Sequence, residues 1–256
     1  MILPGLVSVT FRHLSPQKIV EMASQAGLSA IEWGGDIHVP HGDIDQARRV
    51  RDLTLAAGLQ VACYGSYYRV WPQEPAPFDT VLRTALALEA PTIRVWAGKI
   101  GSSNASPQYR AALQGESLRI AQQAAEAGVT VVFEYHANTL TDTDLSARDL
   151  LTQANHPNLG CLWQPRIGPS LSDNLASLDS VSPWLYNLHV FHWQAGVGQA
   201  ERRPLAEGRS AWQHYLARAS NASTPRYALL EFVLDDSPEV FFADAAVLKE
   251  LCSAQK

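Results

Sequence analysis

One unit repeats along this chain: an amphipathic helical stretch, a glycine stop, and an apolar run of strand-forming residues. The stops read Ala26-Gly27-Leu28, Ala57-Gly58-Leu59 and Ala127-Gly128-Val129. Glycine suits the left-handed residue that ends a helix. The runs that follow are rich in Val, Ile, Tyr, Trp and Phe, which favour strands. Eight such runs occur, near 6–11, 30–34, 61–67, 92–97, 130–136, 159–164, 185–191 and 227–233. Strands alternating with helices imply parallel pairing, because a parallel pair needs a crossover. Eight units in 256 residues predict one (β/α)8 TIM barrel spanning 1–256. An open doubly wound sheet is the alternative, but no Gly-x-Gly-x-x-Gly follows the first strand.

The helical stretches carry their own signals. Ser15-Pro16 reads as an N-cap followed by a first-turn proline, and Ile19, Val20, Met22, Ala23 and Ala26 recur at helical spacing. The stretch from Gln108 to Ala127 predicts the longest helix, and 237–252 the last. The longest stretches without helical pattern, 65–78 and 192–208, fall after predicted strands. In a barrel these are loops of the active-site face.

Composition narrows the function classes. The net charge is -5 and the pI about 5.9. The longest basic clusters, Arg48-Arg49-Val50-Arg51 and Arg202-Arg203, are too short to neutralise a phosphate track, so no nucleic-acid partner is expected. No apolar run approaches a membrane span, so no membrane association is expected. No basic segment followed by an apolar stretch opens the chain, so no signal peptide is expected. Cys63 and Cys161 sit in apolar runs and no Cys-x-x-Cys occurs, which predicts buried thiols and a cytoplasmic setting.

Polar residues inside apolar strands are informative, because burying them without a partner is costly. Glu134, Gln164, His189 and Glu231 end or interrupt the fifth, sixth, seventh and eighth strands. In a closed barrel these neighbours converge on one rim. Two carboxylates, an imidazole and an amide oxygen make a reasonable shell for a divalent metal: Mn, Mg, Co or Zn. The competing reading pairs each glutamate with an arginine or a backbone donor, and spacing alone leaves both open. His136, two residues past Glu134, shares its side of the strand. Arg94 and Trp96 alternate on the fourth strand, and a buried Arg94 needs an anion, either substrate or Glu32. His192, Tyr67, Tyr68, Trp71, His38 and His41 lie on loops of the same rim, of which His192, Tyr67 and His38 are the stronger candidates for substrate contact.

The whole chain resembles the xylose isomerase-like TIM-barrel superfamily. That group's metal site uses a Glu on strand five, an Asp on strand six, a His on strand seven and a Glu on strand eight. Glu134, His189 and Glu231 match three positions, and Gln164 replaces the Asp, removing one negative charge. The segment Ser15-Pro16 through Trp33 also resembles the family's first helix and second strand. The resemblance implies a metal-dependent isomerase or epimerase acting on a small sugar or sugar phosphate through an enediolate, with Glu134 and Glu231 as the acid–base pair. It also implies a substrate-binding arginine in the loop after strand seven, where Arg202 and Arg203 lie. An inosose dehydratase-like lyase and a ligand-binding barrel without catalysis are the alternatives. The superfamily's zinc endonucleases fit poorly, given the acidic charge and few strand-end histidines. Barrels of this group often pair, so a homodimer is an expectation.

Overall fold

The computed structural model describes residues 1–72, 74, 77–196, 200–220 and 225–255. Eight parallel strands close into a barrel: β1 (Ile2–Val7), β2 (Ala30–Gly34), β3 (Gln60–Arg69), β4 (Thr92–Trp96), β5 (Thr130–Glu134), β6 (Leu159–Trp163), β7 (Leu185–Val190) and β10 (Arg226–Leu230). Strand β10 closes the ring by pairing with both β7 and β1. Helices α1 (Pro16–Gln25), α2 (Ile44–Ala56), α3 (Phe78–Ala87), α4 (Pro107–Glu126), α5 (Asp144–Ala154), α6 (Leu171–Val181), α7 (Arg209–Ala219) and α8 (Pro238–Ser253) surround it. The single (β/α)8 barrel expected from the repeat is therefore present.

The local signals act as read. The Ser15 hydroxyl accepts from the Lys18 amide at the start of α1, and Pro16 opens the helix. Gly27, Gly58 and Gly128 adopt φ of +68°, +75° and +73°, conformations that L side chains rarely adopt. Two expectations need correction. The first strand lies at Ile2–Val7, and residues 8–11 form a turn of 3-10 helix. Pro4 and Gly5 look like breakers, yet Gly5 is there because a Cβ would lie 2.6 Å from the Leu229 side chain and 2.7 Å from the Ala30 carbonyl. The stretch 192–208 is also not plain loop: β8 (His192–Ala195) and β9 (Ala200–Arg203) pair antiparallel, with 197–199 outside the described residues.

The core has two layers. The main one lies between strands and helices and includes Trp33, Phe78, Trp163, Trp212 and Phe241. Inside the barrel, Ala30, Val132, Leu162 and Leu229 are buried in separate small clusters. Each stands two residues before Glu32, Glu134, Gln164 or Glu231, on the same face of its strand. The apolar plug is thus the floor on which the polar mouth rests. Cys63 and Cys161 are buried thiols. Among the described residues, no helix is long and apolar enough to cross a membrane.

Candidate active site

The strand ends bring together a buried ionic cluster. Glu32 enters from β2, Arg94 from β4, Glu134 from β5, His189 from β7, and Glu231 follows the last residue of β10. All five are at most 4% exposed. The Arg94 Nε donates to Glu32 Oε1 at 2.7 Å, and its Nη1 donates to Glu134. The Trp96 indole donates to the same Glu134 oxygen. Gln164 reaches the other Glu134 oxygen through Nε2 at 3.2 Å. His189 lies between carboxylates: its Nε2 is 3.2 Å from Glu32 Oε2, and its Nδ1 is 3.2 Å from Glu231 Oε2 and 3.8 Å from Glu134 Oε1.

The electrostatics follow from that packing. Burial alone would raise Glu32, but Arg94 and then His189 outweigh it and hold the carboxyl down to about 2. Glu134 is likewise lowered against its own burial, by Arg94 first and His189 second. Burial opposes the charged form of His189, yet Glu231 and Glu32 raise it to about 10. The three glutamates exceed the one guanidinium, so the cluster lacks positive charge unless His189 is protonated or a cation is bound. The backbone leaves this cluster no slack. A Cβ at Gly65 on β3 would stand 2.6 Å from Arg94 Nη2 and 2.7 Å from Glu32 Oε1.

Above the cluster opens a cleft of about 660 Å³, whose lining includes Arg94, Glu134, Gln164 and Glu231 at its base. Its walls are largely aromatic: Tyr67, Trp96, His136, Phe191, Trp193 and Phe232. Trp96 stacks on His136 with ring centroids 4.8 Å apart. Tyr67 has a left-handed backbone (φ 56°), accepts from Arg12 Nη2 at 2.9 Å, and lays its ring 4.7 Å from the Arg94 guanidinium. Phe232 is also left-handed (φ 56°), which turns its ring into the cleft directly after Glu231. Two strained residues at one mouth fit a functional site.

The donor atoms suit a divalent metal. Among the described residues, no three His, Cys, Asp or Glu side chains close on one point as a ready-made metal cluster. However, His189 Nδ1 is buried 3.2 Å from Glu231 Oε2 without hydrogen-bonding geometry, and Gln164 Oε1 is buried without a hydrogen-bond partner. They lie beside Glu134 and Glu231, the other two expected ligands. Two ligands about 2.1 Å from an ion stand about 3 Å apart at a right angle and farther at wider angles, and the separations around His189 are of that size. Glu32 on Nε2 would leave Nδ1 as the free lone pair, the usual support for a metal-bound imidazole. The fit requires Gln164 to present Oε1 where Nε2 now meets Glu134, a rotation of one amide.

The remaining sequence candidates divide. Tyr67, Arg94, Trp96 and His136 line the cleft. Arg94 also makes the ion pair with Glu32 that the sequence raised as its alternative role. Arg202 lies behind the wall: it pairs with Asp236 at 2.6 Å and sits 5.0 Å from the Phe232 ring and 5.7 Å from that of Trp193. Arg203 pairs with the neighbouring Glu201. His38 is buried on Ser8 Oγ at 2.9 Å and the Leu14 carbonyl at 3.2 Å, outside the cleft lining. His192 packs against Gly208, also outside it. His41 hydrogen-bonds the Ser66 carbonyl. Sequence reasoning missed Arg12, Arg166, Phe191, Trp193 and Phe232 as lining residues. Only their positions just past strand ends marked them.

No protein-family model matches the chain. It is 26% identical over 271 residues to the 3-dehydroshikimate dehydratase of Bacillus anthracis, covering 95% of each chain. The crystal structure of the probable 3-DHS dehydratase AsbF of Bacillus anthracis superposes with a TM-score of 0.80 at 22% identity, over 97% of this chain and 99% of that one. A xylose isomerase domain protein from Planctomyces limnophilus gives 0.76 at 18% identity, over 99% and 96%. D-psicose 3-epimerase from Clostridium cellulolyticum gives 0.65 at 14% identity, over 99% and 96%. In fold, this chain is a xylose isomerase-like TIM barrel.

Proposed function

We propose that the protein is a lyase that removes a proton beside a carbonyl of a small polyhydroxylated ring ketone and then expels a β-hydroxyl as water. The observation that carries this reading is the buried pair Glu134 and Glu231 flanking His189 beneath an aromatic-walled cleft. Glu231 serves as the base, because its close polar neighbour among the described residues is His189. Glu134 is already committed to Arg94, Trp96 and Gln164 and stays a carboxylate. Glu134, Gln164, His189 and Glu231 are the residues that would hold a divalent metal, which would supply Lewis-acid charge for the proton abstraction. His136, Trp96 and Tyr67 wall the ring and keep water from the proton-transfer path. The B. anthracis dehydratase supports the lyase outcome.

Isomerisation or epimerisation is the second reading. It uses the same first step, with the proton returned instead of water lost, and the likeness to the epimerase favours it. The test is incubation with 3-dehydroshikimate and, separately, with ketohexoses in deuterated water containing Mn2+, followed by mass spectrometry. Loss of one water from the ring ketone is the expected result. Deuterium gained by a ketohexose without loss of water selects the second reading. Neither change with any substrate refutes both.

A further inference from the structure

We infer that Arg166 is the anchor for a carboxylate on the substrate, and so a determinant of specificity. This rests on the ring-ketone reading above and deepens it. The expected substrate-binding arginines, Arg202 and Arg203, are paired with Asp236 and Glu201. The other cleft-lining arginines are committed too, Arg12 to Asp36 and Tyr67, Arg94 to Glu32 and Glu134. Among the described residues, Arg166 lines the cleft without an ion pair, and its buried Nε has no hydrogen-bond partner. Of the cleft's acids, Glu134 faces Arg94, Glu231 faces His189, and Asp142 accepts the Ser102 amide through Oδ2 while its Oδ1 is buried without a partner; none makes an ion pair with Arg166 among the described residues. Asp173, the acid nearest along α6, is turned back onto Ser170 in the helix cap.

The loop that presents Arg166 is built to hold still. The side chain of Asn174, 4% exposed on α6, clamps both backbone groups of Arg166. Its Oδ1 accepts the Arg166 amide at 2.9 Å, and its Nδ2 donates to the Arg166 carbonyl at 3.1 Å. Pro165 and Pro169 stiffen the flanks. Arg166 is half-buried with its Nε out of solvent; burying part of a guanidinium without a partner is costly, and a preorganised one is the usual way to recognise a planar carboxylate through two parallel N–H donors. Arg166 stands two residues past Gln164 and lines the same cleft as Glu134, Gln164 and Glu231.

The test compares two ring probes that differ only in the acid: 3,4-dihydroxybenzoate and catechol. Their binding to the full chain with Mn2+ is measured by calorimetry for the wild type, Arg166→Gln and Arg166→Lys. The wild type is expected to favour the carboxylate probe by about tenfold to a hundredfold, the size of a charged hydrogen-bonded contact. Arg166→Gln should lose that preference while catechol binding holds, and Arg166→Lys should keep part of it. An unchanged preference in Arg166→Gln overturns the assignment, as does a wild type that binds both probes equally. The preference is independent of turnover, so failure of the lyase reading in deuterated water leaves this result separately readable.

Discussion

Two buried carboxylates in this molecule have opposite fates. Glu32, at the barrel mouth, meets Arg94 and His189 and is held down to about 2. Asp244, in the outer layer on α8, accepts the Leu205 amide at 2.8 Å and makes no ion pair among the described residues, and its burial pushes it from 3.8 up to about 6. Burial is similar, 0% and 3% exposed, so the partner decides the charge state. Glu32 therefore keeps its charge at neutral pH because Arg94 and His189 face it, whereas the outer layer tolerates an acid that is easily neutralised.

The sharpest way to break this contrast is to remove the matching cation. Arg94→Met should destabilise the fold by about 3–5 kcal/mol, because Glu32 and Glu134 are left buried and unpaired. Urea unfolding checks this, and a loss below about 1 kcal/mol would mean that the glutamates are not held by Arg94. Next in size is chemistry without stability. Glu231→Gln should lower turnover at least about a hundredfold while the thermal midpoint stays within a few degrees, read from product formation and calorimetry on the same sample.

Asp244→Asn tests the other side of the comparison. The folded-state carboxyl of Asp244 lies above its ordinary value, so its contribution to stability is greatest below about pH 4 and is lost as pH rises through about 6. The amide variant should flatten that decline and gain about 1 kcal/mol at neutral pH, once screening by solvent is allowed for. Thermal midpoints across pH 4–8 measure it; an unchanged slope would remove Asp244 as its source. The smallest effect belongs to Arg203→Met. Its pair with Glu201 is exposed, so stability should change by less than about 0.5 kcal/mol, and a larger loss in urea unfolding would give that pair a structural role.

The same contrast explains what the sequence made legible. The barrel was readable because its signals are local: a glycine stop, a cap, and an alternating run each report on the next few residues. Glu134, Gln164, His189 and Glu231 stood out because polar residues in apolar strands are conspicuous, and the strand order then brings them together. The first strand's position was not readable, since Gly5 answers to Leu229 and Ala30, which are remote in sequence. Nor was the pairing of β8 with β9, short polar strands that among the described residues pair with each other alone. Glu32 appeared only as a mate for Arg94, although it supports His189 as well. Arginines gave the weakest signal, because the role of each depends on whether an acid lies beside it in space. Arg202, paired with Asp236, and Arg166, which makes no ion pair among the described residues, look alike as letters.

Gly65 extends this dependence to heredity. The absent side chain at position 65 is the space that Arg94 and Glu32 occupy, so a larger residue there must push the guanidinium or the carboxylate aside. A lineage that exchanged this glycine would have to shift Arg94 or Glu32 in the same interval, and would disturb the match between the guanidinium and its two glutamates with it. Position 65 carries no chemistry of its own, yet it should tolerate change as poorly as the charged residues it makes room for.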